Sequence, residues 1–211
     1  MKGLQPGGRQ RGFTLIEMLV VLAIMVVVLT LAVPSLLTTM RQGKLRGAAG
    51  DTVTLMRLAR LEAIKRSCPT LVRVVPAAGR DPERVEGIVD CDSNGIQDAN
   101  AAPLGSIPLP AQVHLLAPPD LAGASSVLGF CPDPKDPATN AAIFNGNGSV
   151  CAVRAVSGFH FGDDAGNFLE VRVAPAATAR IEVRKCKLCT DAASVTDWYA
   201  AGDGGGAWTW K

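Results

Sequence analysis

The chain has 211 residues, 48% of them hydrophobic and 19% charged, enough for one domain of ordinary size beyond a membrane segment and no more. Its net charge of +2 hides an asymmetry: residues 1–12 carry three bases and no acid, residues 41–66 seven bases and two acids, and residues 67–211 eleven bases and sixteen acids. An acidic C-terminal portion excludes a protein whose whole surface is built for nucleic acid, where the footprint is broadly basic.

Residues 13–37 form an apolar run of 25 residues. As a helix rising about 1.5 Å per residue, it covers the roughly 30 Å hydrocarbon core of a bilayer. Glu17 interrupts it, and a carboxylate in hydrocarbon costs a few kcal/mol unless it finds a partner, so a simple anchor has no use for it. The leader, residues 1–12, contains Lys2, Arg9 and Arg11 and ends in Gly12 directly ahead of Phe13. A secretory signal places its cleavage site after the apolar core; here the candidate cleavage point precedes it, so the helix is expected to be retained.

Gly12-Phe13-Thr14-Leu15-Ile16-Glu17 resembles the class III signal of type IV prepilins and type II secretion pseudopilins. The resemblance implies cleavage after Gly12 by a membrane aspartyl peptidase, methylation of the new N-terminus at Phe13, and a filament-assembly role for Glu17. It also implies an orientation that the charges flanking the span leave open. The leader would be cytoplasmic, the span in the inner membrane as a single pass, and the head periplasmic until the subunit enters a pilus or pseudopilus. Pro34 fits, since pilins often carry a proline at this depth. The implied partners are other pilins or pseudopilins through the helix, and the prepilin peptidase.

Residues 38–66 continue the helical pattern in amphipathic form, with Leu45, Ala49, Val53, Met56, Ala59 and Ala63 recurring on one face. Gly43, Gly47 and Gly50 weaken it by about 1 kcal/mol each relative to alanine and predict a locally melted segment. Cys68-Pro69 ends it. The head, residues 67–211, reads as strands. Residues 70–75 and 85–90 are short and β-branched, and pairing them about Gly79-Arg80 brings Cys68 opposite Cys91. Cys131 and Cys151 bracket a further piece and would close a loop of about 20 residues, a bridge of about 3 kcal/mol in the chain-entropy model. Cys186 and Cys189 complete the six cysteines. Their close spacing follows a strand pattern and predicts a local structural bridge rather than a redox site.

Asp90, Asp92, Asn94 and Asp98 resemble the first half of a calcium loop, but position twelve is Ala101 and no flanking helices are present. A hairpin turn is the expected reading, with no metal and no cofactor. Residues 101–137 predict mostly surface loop around one strand at 112–116. Residues 142–149 predict a strand entering a glycine turn and resemble the F-x-x-x-G segment of the FimT/GspH group of pilin-like proteins. Residues 157–161, 168–173 and 180–184 continue the strand series, with Leu169, Val171, Val173, Ile181 and Val183 facing the core. The last pair resembles that group's terminal hairpin, although Thr178-Ala179-Arg180 stands where the group reads Thr-Gly-Arg.

Trp198, Tyr199, Trp208 and Trp210 surround a glycine-rich stretch at 202–206. They form either a partner-binding patch or a tail folded back on the sheet. With Arg180, Arg184, Lys185 and Lys187 they could stack and neutralise DNA, a reading opposed by the acidic head. His114 and His160 lie in separate segments without acidic neighbours at useful spacing, so an enzyme is not expected. The sequence thus predicts an α+β, pilin-like fold: a long N-terminal helix, apolar in its first half, packed on an antiparallel, disulfide-stapled head. The function implied by the resemblance is that of a minor type IV pilin, tip-proximal and supporting assembly, adhesion, motility or DNA uptake. The alternatives are a GspH-type pseudopilin and a DNA-binding minor pilin.

Overall fold

The computed structural model describes residues 13–116, 126–154, 157–186 and 198–200; for 186 and 198–200 it describes the backbone alone. One helix, α1 (Leu15–Arg66), carries the chain out of its first unit, which ends at Met40, and into the second, which begins at Arg41. In the first unit the apolar side chains from Phe13 to Met40 are exposed, and the hydroxyls of Thr30, Thr38 and Thr39 bond back to the carbonyls of Val27 and Ser35. A helix apolar all round, with its few hydroxyls internally satisfied, suits hydrocarbon. It is long and apolar enough to cross a membrane.

The helix does not melt at residues 43–50, contrary to the glycine-based expectation. Leu45, Ala48 and Ala49 are buried between those glycines, and tertiary burial outweighs a propensity deficit of about 1 kcal/mol per glycine. The stop is a Schellman cap: Ser67 takes φ 56°, its N–H donates to Ile64 O at 3.3 Å, and Cys68 N–H donates to Ala63 O at 3.2 Å.

The second unit holds two antiparallel sheets rather than the single one expected. The first contains β1 (Thr70–Val75), β2 (Arg84–Val89), β3 (Gly105–Pro108), β6 (Cys131–Pro132), β7 (Asn140–Phe144) and β8 (Val150–Cys151), ordered β3-β2-β1-β7-β6 with β8 also on β7. The second contains β4 (Val113–Leu115), β5 (Val127–Leu128), β9 (Ser157–Asp163), β10 (Phe168–Val173), β11 (Ile181–Cys186) and β12 (Trp198–Ala200), ordered β12-β11-β10-β9-β4 with β5 also on β9. The stretch 101–137 contributes the expected strand, as β4, and beyond it the short β3, β5 and β6. These last three are two to four residues long, too short for alternation to reveal.

One core joins the layers. Leu45, Ala49, Met56, Ala59 and Ala63 of α1 meet Val72, Val85 and Phe144 of the first sheet and Phe159, Phe161, Leu169 and Val171 of the second. Each fully buried large side chain contributes about 1.5–3 kcal/mol. Thr70, buried at the start of β1, donates its hydroxyl to Ala59 O at 2.8 Å and fixes the first sheet to the helix. β1 pairs with β2 from Thr70↔Val89 to Val75↔Arg84, with the turn at Gly79. Cys68 and Cys91 fall on the same register and are bonded, Cα to Cα 4.9 Å; Cys131–Cys151 is the second disulfide.

The turn from β10 to β11 places Ala179 at φ 44° with its methyl in the core. Left-handed backbone costs a non-glycine residue about 1 kcal/mol, and a buried methyl returns about 0.8 kcal/mol. Ala179→Gly is therefore expected to change stability by no more than about 0.5 kcal/mol, read as an unfolding midpoint.

Candidate functional site

The first candidate is the start of α1. Thr14 Oγ1 accepts the Glu17 N–H at 3.2 Å, which makes Thr14 the N-cap of the helix and Glu17 its third residue. Thr-x-x-Glu is a capping-box spacing that the sequence reading overlooked. Glu17 thus sits in the first helical turn, where the positive end of the macrodipole favours a carboxylate. Phe13 and Leu15 beside it are more than three quarters exposed, and Gly12 lies outside the described residues.

The second candidate is the connection from β2 to β3, which contains Asp90, Asp92, Asn94 and Asp98. Asp90 is buried, and its two carboxylate oxygens accept the N–H groups of Asn94 and Gly95, each at 2.9 Å. Asp98 Oδ2 accepts Cys91 N–H at 3.0 Å, and Asp92 Oδ2 accepts the Asn94 side-chain amide at 2.6 Å. These oxygens satisfy the loop itself instead of converging on one point. Among the described residues no group of three or more His, Cys, Asp or Glu side chains is placed to hold a metal ion. The loop joins antiparallel neighbours, as a hairpin turn would, but spans residues 90–104. Arg73 locks it to the sheet, donating to Gly95 O at 2.8 Å and pairing with Glu86 at 2.6 Å and Asp133 at 3.5 Å.

Burial pushes the Asp90 carboxyl above its usual range, with Asp92 adding to the effect against the two amide donors. A raised folded-state value means that the native chain holds this proton more tightly than the unfolded chain, so the Asp90 contribution to stability grows as pH falls through that value. Asp90→Asn replaces one acceptor by a donor aimed at an N–H and is expected to cost about 1–3 kcal/mol. The difference between wild type and variant should widen from pH 7 toward acid, measured by urea unfolding at each pH.

The cations expected at a DNA face are arranged differently from one another. Arg180 and Arg184 flank Glu182, at 2.8 and 3.4 Å. Lys185 lies on the opposite, core-facing side of β11, buried, and burial with nearby Arg46 lowers its ammonium below the usual range. Lys187, Cys189, Trp208 and Trp210 lie outside the described residues, and so does the expected Cys186–Cys189 bridge. Trp198 and Tyr199 belong to β12, which pairs with β11 opposite Cys186 and Lys185, so this part of the tail extends the second sheet.

Both histidines have acidic neighbours in space that sequence spacing did not show. His160 Nε2 is 3.3 Å from Glu170 Oε1, a cross-strand pair of β9 and β10, with Nδ1 3.2 Å from Ser126 O. His114 Nε2 is 3.6 Å from Asp164.

The geometry defines a class first: an exposed apolar helix long enough for a bilayer, continuing into a disulfide-stapled α+β unit. Residues 7–33 match the family model described as the prokaryotic N-terminal methylation motif. No curated protein and no solved structure matched. The chain thus carries a type IV pilin-like prepilin signal, which marks pilin- and pseudopilin-type structural proteins rather than catalysts.

Proposed function

We propose that the chain is a minor pilin, a structural subunit that enters a type IV pilus near its tip after removal of residues 1–12. The observation that carries this reading is the exposed apolar stretch 13–40, whose one acid, Glu17, sits in the first turn of α1, within the matched motif. In a membrane that carboxylate has no partner. In a helical filament the new amine at Phe13 of one subunit and Glu17 of a neighbour neutralise each other where neither is tolerated alone. Glu17 and Phe13 are therefore the assembly residues, and Gly12 is the cleavage residue.

The test is the intact mass of the protein recovered from cells with and without a prepilin peptidase. A species beginning at methylated Phe13, found only when the peptidase is present, is the expected result. An unprocessed chain in both strains would refute the reading and leave a membrane-anchored extracytoplasmic domain.

A further inference from the structure

β1 and β2 turn one face to the core, with Val72 and Val85, and the other toward the connection from β6 to β7, residues 133–139. Arg73 and Val75 of β1 share that outer face with Glu86 and Arg84 of β2, because the register pairs Arg73 with Glu86 and Val75 with Arg84. A cleft of about 430 Å³ opens between this face and the 133–139 connection, inside the range of about 300–1,000 Å³ usual for small-molecule sites. Its walls are held before any ligand arrives. Arg73 binds Glu86 and Gly95 O, the Lys135 N–H donates to Asp133 Oδ1 at 2.8 Å, and the Asp133 N–H donates to Thr139 O at 2.9 Å. Polar groups already fixed in place lose little conformational freedom on binding.

Three cations, Arg73, Arg84 and Lys135, and three acids, Glu86, Asp133 and Asp136, line the cleft. Arg73 and Glu86 satisfy each other, but other members keep unused capacity. Arg84 Nε is 3.7 Å from Glu86 Oε2, too far for a hydrogen bond. Asp133 Oδ2 meets Arg73 only at 3.5 Å, although its side chain is 4% exposed. Among the described residues Lys135 makes no ion pair. Donors on Arg84 and Lys135 therefore share one cleft with a buried acceptor on Asp133.

That mixture decides what fits. A carboxylate or phosphate would meet three acids and an ammonium three cations, and a charge moved out of water into a site that does not compensate it is costly. A hydroxyl donates to an acid and accepts from a cation at the same time. Val75 and Pro76 add an apolar wall to the same cleft. A ring that carries hydroxyls at its edge and C–H groups on its face matches both parts.

We propose that this cleft binds a neutral saccharide, with its hydroxyls between Asp133 and Arg84 and its C–H face on Val75 and Pro76. The proposal goes beyond filament assembly and does not depend on it, since every residue of the cleft lies in the unit that begins at Arg41.

The test applies the full chain, in a detergent without a sugar headgroup, to an array of neutral and acidic oligosaccharides, and titrates the strongest neutral binder by calorimetry. At least one neutral oligosaccharide is expected to bind, with a Kd that changes by less than about twofold over a tenfold range of salt, because no net charge is neutralised. Arg84→Ala is expected to weaken it about tenfold, and Lys135→Ala, at an exposed position, about threefold. Urea midpoints show whether each variant folds, and Lys135→Ala carries the comparison if Arg84→Ala does not. The assignment is overturned if no neutral oligosaccharide binds, if the folded variants bind as the wild type does, or if binding is confined to acidic oligosaccharides and falls as salt rises. Each result reads the same whether or not the leader has been removed, so failure here leaves the minor-pilin reading standing, and the reverse holds too.

Discussion

Gly95→Ala is expected to destabilise the head by about 3–5 kcal/mol, at the upper end of single-residue effects. Two separate penalties meet at this position. Gly95 has φ 75°, where a Cβ costs about 1 kcal/mol or somewhat more. The added Cβ would also lie 2.4 Å from the Lys135 backbone nitrogen and 2.6 Å from its Cβ. Both atoms belong to the neighbouring loop, which is itself held, because Asp133 accepts the Lys135 N–H and the Asp133 N–H donates to Thr139 O. The two loops have to separate, which loosens the Arg73 bond to Gly95 O and the Gly95 bond to buried Asp90. Gly79→Ala is the matched control. It has φ 61° at the β1–β2 turn but nothing within 4 Å of the added atom, so it should cost only the conformational term of about 1 kcal/mol. The gap between the two variants in urea midpoints measures the clash. Equal losses would mean that the 90–104 and 133–139 loops do not pack as described.

Where a structural feature depended on neighbours in sequence, the sequence carried it. Apolar residues at three- and four-residue steps named Leu45, Ala49, Val53, Met56, Ala59 and Ala63, and all are buried. The turn at Gly79-Arg80 set the register of the first hairpin and with it the Cys68–Cys91 bridge. Features that depend on partners distant in sequence were not legible. β3 has four residues and ends in Pro108, and what makes it a strand is the edge of β2, four residues of which it pairs. The division into two sheets arises because β7 leaves the late strands and joins β1, a crossover that no local pattern announces. His160 finds Glu170 only through the β9–β10 register, and Lys185 is buried because the alternation of Ile181 and Val183 carries it to the core side. At the N-terminus the motif is legible because it is local, and the part of Thr14 as helix cap lies in the same few residues, in its spacing to Glu17.

Glu17→Val is expected to leave cleavage after Gly12 intact and to lower incorporation into filaments by about a hundredfold or more, since tenfold corresponds to about 1.4 kcal/mol. The helix start survives the change, because Thr14 caps the Glu17 backbone N–H and not its side chain. What changes is the balance between membrane and filament. A carboxylate costs roughly 2.5–3.5 kcal/mol at the centre of a spanning helix and less at its end, where Glu17 lies, so valine holds the subunit more firmly in the bilayer by part of that amount. In the proposed filament the amine of a neighbouring Phe13 then lacks its counter-charge, and breaking one side of a buried ion pair costs about 3–5 kcal/mol. Both terms act in the same direction. Glu17→Gln separates them, since it removes the charge but keeps a polar side chain that the bilayer still disfavours. It should therefore lose incorporation while remaining easier to extract from membranes than Glu17→Val. Quantifying the processed chain in sheared filament and membrane fractions reads both quantities. Wild-type incorporation of Glu17→Val would mean that no charge pair forms at this residue, and the drive to assemble would then have to come from apolar packing of residues 13–40 alone.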